Sequence, residues 1–363
     1  MITGHAYPWD VLGDPAFADR VRAHGIDTVA LAAAYHSVRA ATPLHPHHQV
    51  VTAAHAALYR PVRAEAWRGR LLRPAEPAWM STSDSFGAAA ALLKAAGLRV
   101  SAWVVLTHNT RLGTEFADLA VVNCFGDRYP YALCPSRTQV REYAALLAAE
   151  AAADADAVSL EACGQLGLVH GSHHEKTDDG WTTAAARWLS VCCCAGCRTG
   201  WAEQRLDPDE VVGWLRAAVA GAELPVAEEL LAVRHRNTDL LREQVLAALP
   251  DVPVTLHAHP DPWATGASPG LTPTAAGQVD ALLAPAWPTD PATAVDVGRV
   301  AATGRPTEAY LTVLPPSTED SLRAHVGRLT NAGATGLAVY HLGLAPPWRQ
   351  PLITAAVREF SGT

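Results

Sequence analysis

This sequence of 363 residues lacks a long apolar stretch, a basic block and a leader-like start. No apolar run reaches about 18 residues, so we expect no ordinary transmembrane helix. The net charge is −8 and the two signs are interspersed, so neither nucleic acid nor an anionic membrane surface is an expected partner. The opening MITGHAYPWD has no charged region followed by an apolar one, which predicts a cytoplasmic protein without a signal peptide.

Cysteine is present, with seven residues, and three of them stand in a C-x-C-x-x-C spacing at Cys192, Cys194 and Cys197. In a chain without a secretory pattern this favours free thiols or metal binding over disulfides. One interpretation is that these are small buried hydrophobic residues. The other is a tetrahedral zinc site, which would be structural because four thiolates leave no open coordination position. The fourth ligand would then come from Cys124, Cys134 or Cys163.

Apolar β-like runs alternate with Ala-rich helical stretches along the chain. The runs cover residues 3–9, 26–37, 98–109, 156–162, 251–261, 279–287, 306–315 and 334–344. They are nearly continuous in apolar residues, which is typical of a parallel sheet that is buried on both faces. No glycine fingerprint follows an early strand, which disfavours an open doubly wound sheet. The pattern predicts an α/β fold, a (β/α)8 TIM barrel in which residues 1–363 form a single domain with long βα loops. We expect the long segments 38–83 and 164–181 to lie over its C-terminal mouth.

Polar and aromatic side chains recur where the predicted strands end, which is where TIM barrels collect their functional groups. Each one alone is compatible with packing. Together they indicate a binding pocket, because unpaired polar groups buried in a barrel mouth are costly. The predicted substrate-binding residues are Tyr7, Tyr35, His36, His108, Asn109, His173, His174, His257, His259, Trp287, Tyr340 and His341.

Glu161 is the carboxylate that directly ends an apolar strand, in the run DAVSLEA. We interpret it as a catalytic general acid, although pairing with an arginine would also explain it. Glycoside hydrolysis needs a second carboxylate as nucleophile or base. Candidates for that role are Asp261, Glu175 and Asp178.

These features resemble the clan-A glycoside hydrolases, including the family 42 β-galactosidases. Glu161 stands where that clan keeps its acid/base glutamate, and the Cys192, Cys194 and Cys197 spacing is similar to the family 42 zinc cluster. Residues 123–136 also resemble bacterial glycosyl-hydrolase-like proteins. The resemblance implies a hydrolase that acts on a carbohydrate or glycoside and carries a structural zinc. Among the three candidates for the fourth zinc ligand we predict Cys134.

Two departures from the clan pattern stand out. The clan carries a nucleophilic glutamate at the end of strand seven, but here Glu308 lies at the start of that strand. Leu160 occupies the position before Glu161 where the clan commonly has asparagine. The standard pair of carboxylates is therefore not carried over.

The sequence is also compatible with two other functions. A metal-dependent hydrolase, lyase or isomerase could bind its ion through side chains on different strands; these are His36, His108, Glu161, His257 and His341. A carbohydrate-binding pseudoenzyme is suggested by the missing strand-seven glutamate. A homo-oligomer is compatible with the sequence, which does not specify the oligomeric state.

Overall fold

The computed structural model describes residues 1–169, 176–177 and 180–362. Its centre is a closed barrel of eight parallel strands, which we number in chain order. They are β1 Ile2–Ala6, β2 Thr28–Tyr35, β3 Arg99–Val105, β4 Ala157–Glu161, β5 Val254–His257, β6 Ala281–Pro285, β7 Thr307–Thr312 and β8 Gly336–Tyr340. Each strand pairs with its neighbours in sequence, and β1 pairs with both β2 and β8, which closes the barrel. The predicted (β/α)8 TIM barrel and its eight strands are confirmed.

Helices connect the strands and cover the outside of the barrel. They are α1 Pro8–Val11, α2 Phe17–Ala23, α3 Ser85–Ala95, α4 Thr110–Glu115, α5 Thr138–Ala151, α6 Thr183–Leu189, α7 Ala195–Glu203, α8 Pro208–Val219, α9 Ala227–Ala248, α10 Pro291–Ala301, α11 Glu319–Asn331 and α12 Gln350–Gly362. Short 3-10 turns cover Ala117–Leu119, Ala275–Gly277 and Pro347–Arg349. Among the described residues, no helix has both the length and the apolar character needed to cross a membrane.

Local sequence signals explain where several helices begin and end. Asp84 begins α3 by accepting a hydrogen bond from the Gly87 amide, as expected of an N-cap carboxylate. Asp207 caps α8 in the same way. Gly25, just after α2, has φ +80°, a left-handed conformation that glycine adopts without strain.

The connections depart from a regular alternation of strand and helix in two places. After β3, the chain forms α4 and then a hairpin of strands Ala120–Val122 and Arg128–Leu133, instead of one long loop. Between β5 and β6, residues 258–280 contain only a 3-10 turn, so this connection covers the barrel without an α-helix.

The segment 38–83 divides between two locations. Strands Val38–Ala41 and Val50–Ala53 form a hairpin, and Ala57–Leu58 pairs antiparallel with the C-terminal end of β2. Further along, the Trp67 indole donates to the Glu150 carboxylate of α5. The part of the segment around Trp67 therefore lies against the outside of the barrel. Only the part up to Leu58 is near the mouth as expected.

Candidate active site at the mouth of the barrel

Glu161 ends β4 with its side chain buried at the C-terminal end of the barrel, 5% exposed. The indole Nε1 of Trp103, on neighbouring β3, donates a hydrogen bond of 2.8 Å to Glu161 Oε2. Burial raises the pKa of Glu161 to about 7, and the Trp103 hydrogen bond opposes this rise. No arginine or lysine of the described residues forms an ion pair with Glu161, so arginine pairing does not explain its position.

His257, at the end of β5, lies on the other side of Glu161. Its Nε2 is 2.9 Å from Ser159 Oγ, and its Nδ1 is 3.9 Å from Glu161 Oε2. Burial lowers the pKa of His257 to about 3. The imidazole is therefore neutral near pH 7, and its approach to Glu161 is not an ion pair unless the carboxyl transfers its proton.

Aromatic rings at the ends of β1, β2 and β8 pack around the Trp103 indole. Tyr35 meets Trp103 edge to face with ring centroids 4.6 Å apart. Tyr7 lies 5.0 Å from Tyr35 and stacks on His341 at 4.0 Å. Tyr7, Tyr35 and His341 therefore form one cluster of rings around Trp103, the donor to Glu161.

The ring cluster continues onto the ends of β6, β7 and β8. Tyr310 of β7 lies 4.4 Å from the His5 ring. Tyr340 packs on Trp287 with centroids 4.5 Å apart. Trp287 is 41% exposed, so it is available at the rim of the site. Burial raises the pKa of Tyr340 to about 12 and keeps its phenol protonated.

Asp10 of α1 is a buried carboxyl that the sequence reasoning did not identify. Its Oδ2 accepts a 2.8 Å hydrogen bond from the Tyr7 amide and lies 3.7 Å from His341 Nδ1. Burial raises the pKa of Asp10 to about 7. A Cβ at Gly343 would lie 2.2 Å from the Asp10 carboxyl, so this approach requires glycine there. The available sequence signal was its spacing, three residues after Tyr7 at a helix start.

Three predicted residues make local structural contacts. Asn109 caps α4 through the Leu112 amide. His259 Nδ1 accepts a 3.0 Å hydrogen bond from the Asp261 amide. The Asp261 carboxylate is half-buried and pairs with Arg187 at 2.8 Å.

His36 and His108 stack on each other with ring centroids 4.2 Å apart, after β2 and β3 respectively. His36 also stacks on Tyr35 with ring centroids 4.2 Å apart, so this pair continues the ring cluster around Trp103. His173, His174 and Glu175 lie outside the described residues, as does Asp178.

The histidine-based metal hypothesis is not supported by this arrangement. Among the described residues, the single group of three or more potential ligands within mutual reach consists of cysteines. The five side chains proposed for a catalytic metal do not converge on one point there.

The cysteine cluster joins two insertions outside the barrel. Cys134 follows the hairpin after β3, and Cys192, Cys194 and Cys197 precede or begin α7. Their four sulfurs lie within 4.8 Å of one another, with Cys134 Sγ 3.6 Å from Cys197 Sγ and 3.7 Å from Cys194 Sγ. A tetrahedral site with Zn–S bonds of about 2.3 Å places its sulfurs about 3.8 Å apart, so the cluster has dimensions that could hold a metal ion. Of the three alternatives for the fourth thiol, the structure selects Cys134.

Comparison with known proteins shows what this fold resembles. No protein-family model and no curated protein sequence matches the chain. Among solved structures, α-L-fucosidase isoenzyme 2 from Paenibacillus thiaminolyticus aligns with a TM-score of 0.60 and 13% identity, over 99% of this chain and 49% of that one. The β-amylase catalytic domain from Paenibacillus polymyxa aligns with a TM-score of 0.59 and 10% identity, over 99% and 98% of the two chains.

A β-galactosidase from Bacillus circulans sp. alkalophilus aligns with a TM-score of 0.58 and 12% identity, over 99% of this chain and 56% of that one. The chain thus spans about half the length of the fucosidase and of this galactosidase. At these identities the alignments establish a shared fold, the (β/α)8 barrel of these glycoside hydrolases.

Proposed function

We propose that this protein is a glycosidase-like hydrolase in which Glu161 is the general acid. The observation that carries the proposal is a buried carboxyl at the end of β4 whose pKa is raised to about 7. A glycosidase acid must hold its proton near neutral pH and release it to the leaving oxygen. The fold that the chain shares with known glycoside hydrolases supports the same proposal at the level of architecture.

The neighbours of Glu161 suit this role. The Trp103 indole holds Oε2 in place with a bond that strengthens when the carboxyl becomes an anion. Neutral His257, 3.9 Å away, adds no positive charge that would remove the proton prematurely. When Glu161 loses its proton during the reaction, the Trp103 indole therefore stabilises the resulting carboxylate.

The rim offers surfaces for a sugar ring. Trp287 and Tyr340 pack together at 4.5 Å, and Trp287 is partly exposed. Exposed aromatic faces of this kind can stack on the apolar face of a pyranose. We propose that the substrate, a small carbohydrate or glycoside, contacts these two rings and the side chains of Tyr7, Tyr35 and His341.

Four positions are candidates for the second carboxylate. Asp261, on the loop after β5, is half-exposed and paired with Arg187, so it is a candidate base for activating water. Glu175 and Asp178 remain candidates outside the described residues. Asp10 has a pKa near 7, so at neutral pH part of the population carries the negative charge that a base or nucleophile needs. Glu308 is not a candidate, because it lies at the opposite end of the barrel with Met1 and Thr3.

Activity against a panel of glycosides tests the proposal. Glu161→Gln should reduce hydrolysis of unactivated substrates by about 10²–10⁴-fold, because it removes a positioned proton. Nitrophenyl glycosides should lose less, since their leaving groups need little protonation. The activity losses of Asp261→Asn and Asp10→Asn are then compared, and the larger loss identifies the second carboxylate.

Glu150→Gln is a matched control, because Glu150 is also buried and accepts an indole hydrogen bond, from Trp67, but lies on α5. It should retain activity. Full activity of folded Glu161→Gln on an unactivated glycoside would refute the assignment. Sugar binding by a wild-type protein that hydrolyses none of the panel would instead establish the carbohydrate-binding pseudoenzyme.

We further propose that Cys134, Cys192, Cys194 and Cys197 bind one structural zinc ion. Four thiolates are a common donor set for such sites, and the sulfur separations fit tetrahedral coordination. The ion would fasten the hairpin after β3 to α7 and would take no part in hydrolysis. Elemental analysis of metal-replete protein should find about one zinc per chain.

A further inference from the structure

The barrel contains a cavity at the end opposite to Glu161. Its volume is about 250 Å³. It opens between exposed residues at the N-terminal ends of the strands, including Arg99, Pro253 and Asp280, and extends inward to His5. A cavity of this size inside the strands is unusual, because TIM barrel interiors are normally filled by bulky branched side chains.

Small inward-facing residues explain why the space exists. Thr3, Ala30, Ser101, Ser159 and Thr255 stand on five successive strands and line the cavity. Their register places Ala30 beside Ser101 and Ser159 beside Thr255, so no large neighbour fills the gap. The walls are mostly carbon.

Two buried ionisable groups, Glu308 and His5, line the cavity. Glu308 is buried, and this burial raises its pKa to about 7, with the Thr3 and Thr255 hydroxyls opposing the rise. His5 is 0% exposed, and burial lowers its pKa. The Val339 carbonyl lies close to His5, but neither ring nitrogen makes a well-formed hydrogen bond to any described residue. Buried polar groups without partners are costly and are commonly satisfied by water or a ligand.

We propose that this cavity binds a small uncharged molecule with an apolar six-membered ring and one hydroxyl group. The volume is sufficient, because a dry protein cavity of about 150 Å³ already accepts benzene. Carbon walls favour the ring, and the Glu308 carboxyl with the neighbouring hydroxyls can bond a single ligand hydroxyl. A polyol of the same size would leave several hydroxyls unpaired against apolar walls.

The position of Ser159 gives this binding a local reporter. Ser159 lines the cavity and also hydrogen bonds to His257 Nε2 at 2.9 Å. A ligand beside Ser159 should therefore shift the ring signals of His257 in NMR spectra. This proposal is independent of glycoside hydrolysis, since it concerns a different end of the barrel and is measured by binding.

Calorimetric titration with cyclohexanol at pH 6, where the Glu308 carboxyl is mostly protonated, tests the proposal. Wild-type protein should bind it saturably at one site and shift the His257 signals. Ala30→Leu fills the cavity and should weaken binding at least tenfold. Ala91→Leu makes the same change on an exposed position of α3 and should leave affinity unchanged. If Ala30→Leu does not fold, Ser101→Val is used in its place and should likewise weaken cyclohexanol binding.

Comparison ligands test the proposed chemistry. Cyclohexylamine and myo-inositol have the same ring size but carry a charge or six hydroxyls, and each should bind at least tenfold more weakly than cyclohexanol. Absence of saturable cyclohexanol binding would overturn the proposal. So would unchanged cyclohexanol binding by folded Ala30→Leu and Ser101→Val, or binding of either comparison ligand that is as tight as that of cyclohexanol or tighter.

Discussion

The hydrogen bond from Trp103 to Glu161 leads to a quantitative prediction about the pKa of Glu161 that can be tested without a substrate. Its length is 2.8 Å and both residues are buried. The bond favours the charged form of the carboxyl, so it holds the pKa of Glu161 below the value that burial alone would give. Trp103→Phe keeps an aromatic ring in the barrel and removes the donor.

The size of the effect follows from the strength of such bonds. A hydrogen bond to a charged group contributes about 1.5–3 kcal/mol. Since one pKa unit corresponds to about 1.4 kcal/mol, losing the bond should raise the pKa of Glu161 from about 7 to about 8 or 9. The general acid would then stay protonated to higher pH, and any alkaline limit of activity should move in the same direction.

The assay is a ¹³C NMR titration of glutamate side-chain carboxyls. Glu161→Gln identifies the Glu161 signal by its disappearance. Trp67→Phe is the matched control, because Trp67 Nε1 donates to the buried Glu150 carboxylate at 3.2 Å in another part of the protein. It should leave the pKa of Glu161 unchanged.

An unchanged or lowered pKa in folded Trp103→Phe would refute the reasoning. It would mean that the indole does not stabilise the Glu161 anion. An equal rise in Trp67→Phe would also count against it, since the effect would then not be local.

Three other predictions concern stability and metal content. The free energy of unfolding should fall as pH rises from about 5 to about 8, because Glu161 keeps its proton up to a pKa of about 7 in the folded state but loses it near its ordinary value when unfolded. Glu161→Gln should remove on the order of 3 kcal/mol of that fall in urea titrations, and an identical pH dependence would contradict the buried acid. Cys134→Ser should lower zinc content and melting temperature, whereas Cys163→Ser, a buried cysteine outside the cluster, should leave zinc content unchanged. Gly113→Ala should destabilise by about 2 kcal/mol or more, because its Cβ would lie 1.9 Å from the Pro130 carbonyl oxygen. Gly213→Ala, on an open helix surface, should be neutral or slightly stabilising in the same denaturation experiment.

Local sequence patterns were sufficient to predict the barrel. Each strand is a nearly continuous apolar run because both of its faces are buried, and β2 is buried at every position. Helix starts such as Asp84 depend on neighbouring residues alone. The position of Glu161 at the mouth also followed from sequence, because the C-terminal ends of parallel strands meet at the same side of a barrel.

The partners of these residues depended on the tertiary structure. Trp103 lies 58 residues before Glu161, and only the pairing of β3 with β4 brings the indole to the carboxyl. The spacing along the chain gave no physical reason for Cys134 rather than Cys124 or Cys163, because contact between the two insertions determines which thiol reaches the cluster.

The chemical state of the site was likewise decided by packing in three dimensions. Asp261 and Asp10 are the same residue type, yet one pairs with Arg187 at the half-exposed rim and the other is buried with a raised pKa. The cavity at the N-terminal end exists because five small residues from different strands line it. A sequence records each residue and its near neighbours, whereas pKa values and cavities depend on solvent exclusion by side chains that are distant in the chain.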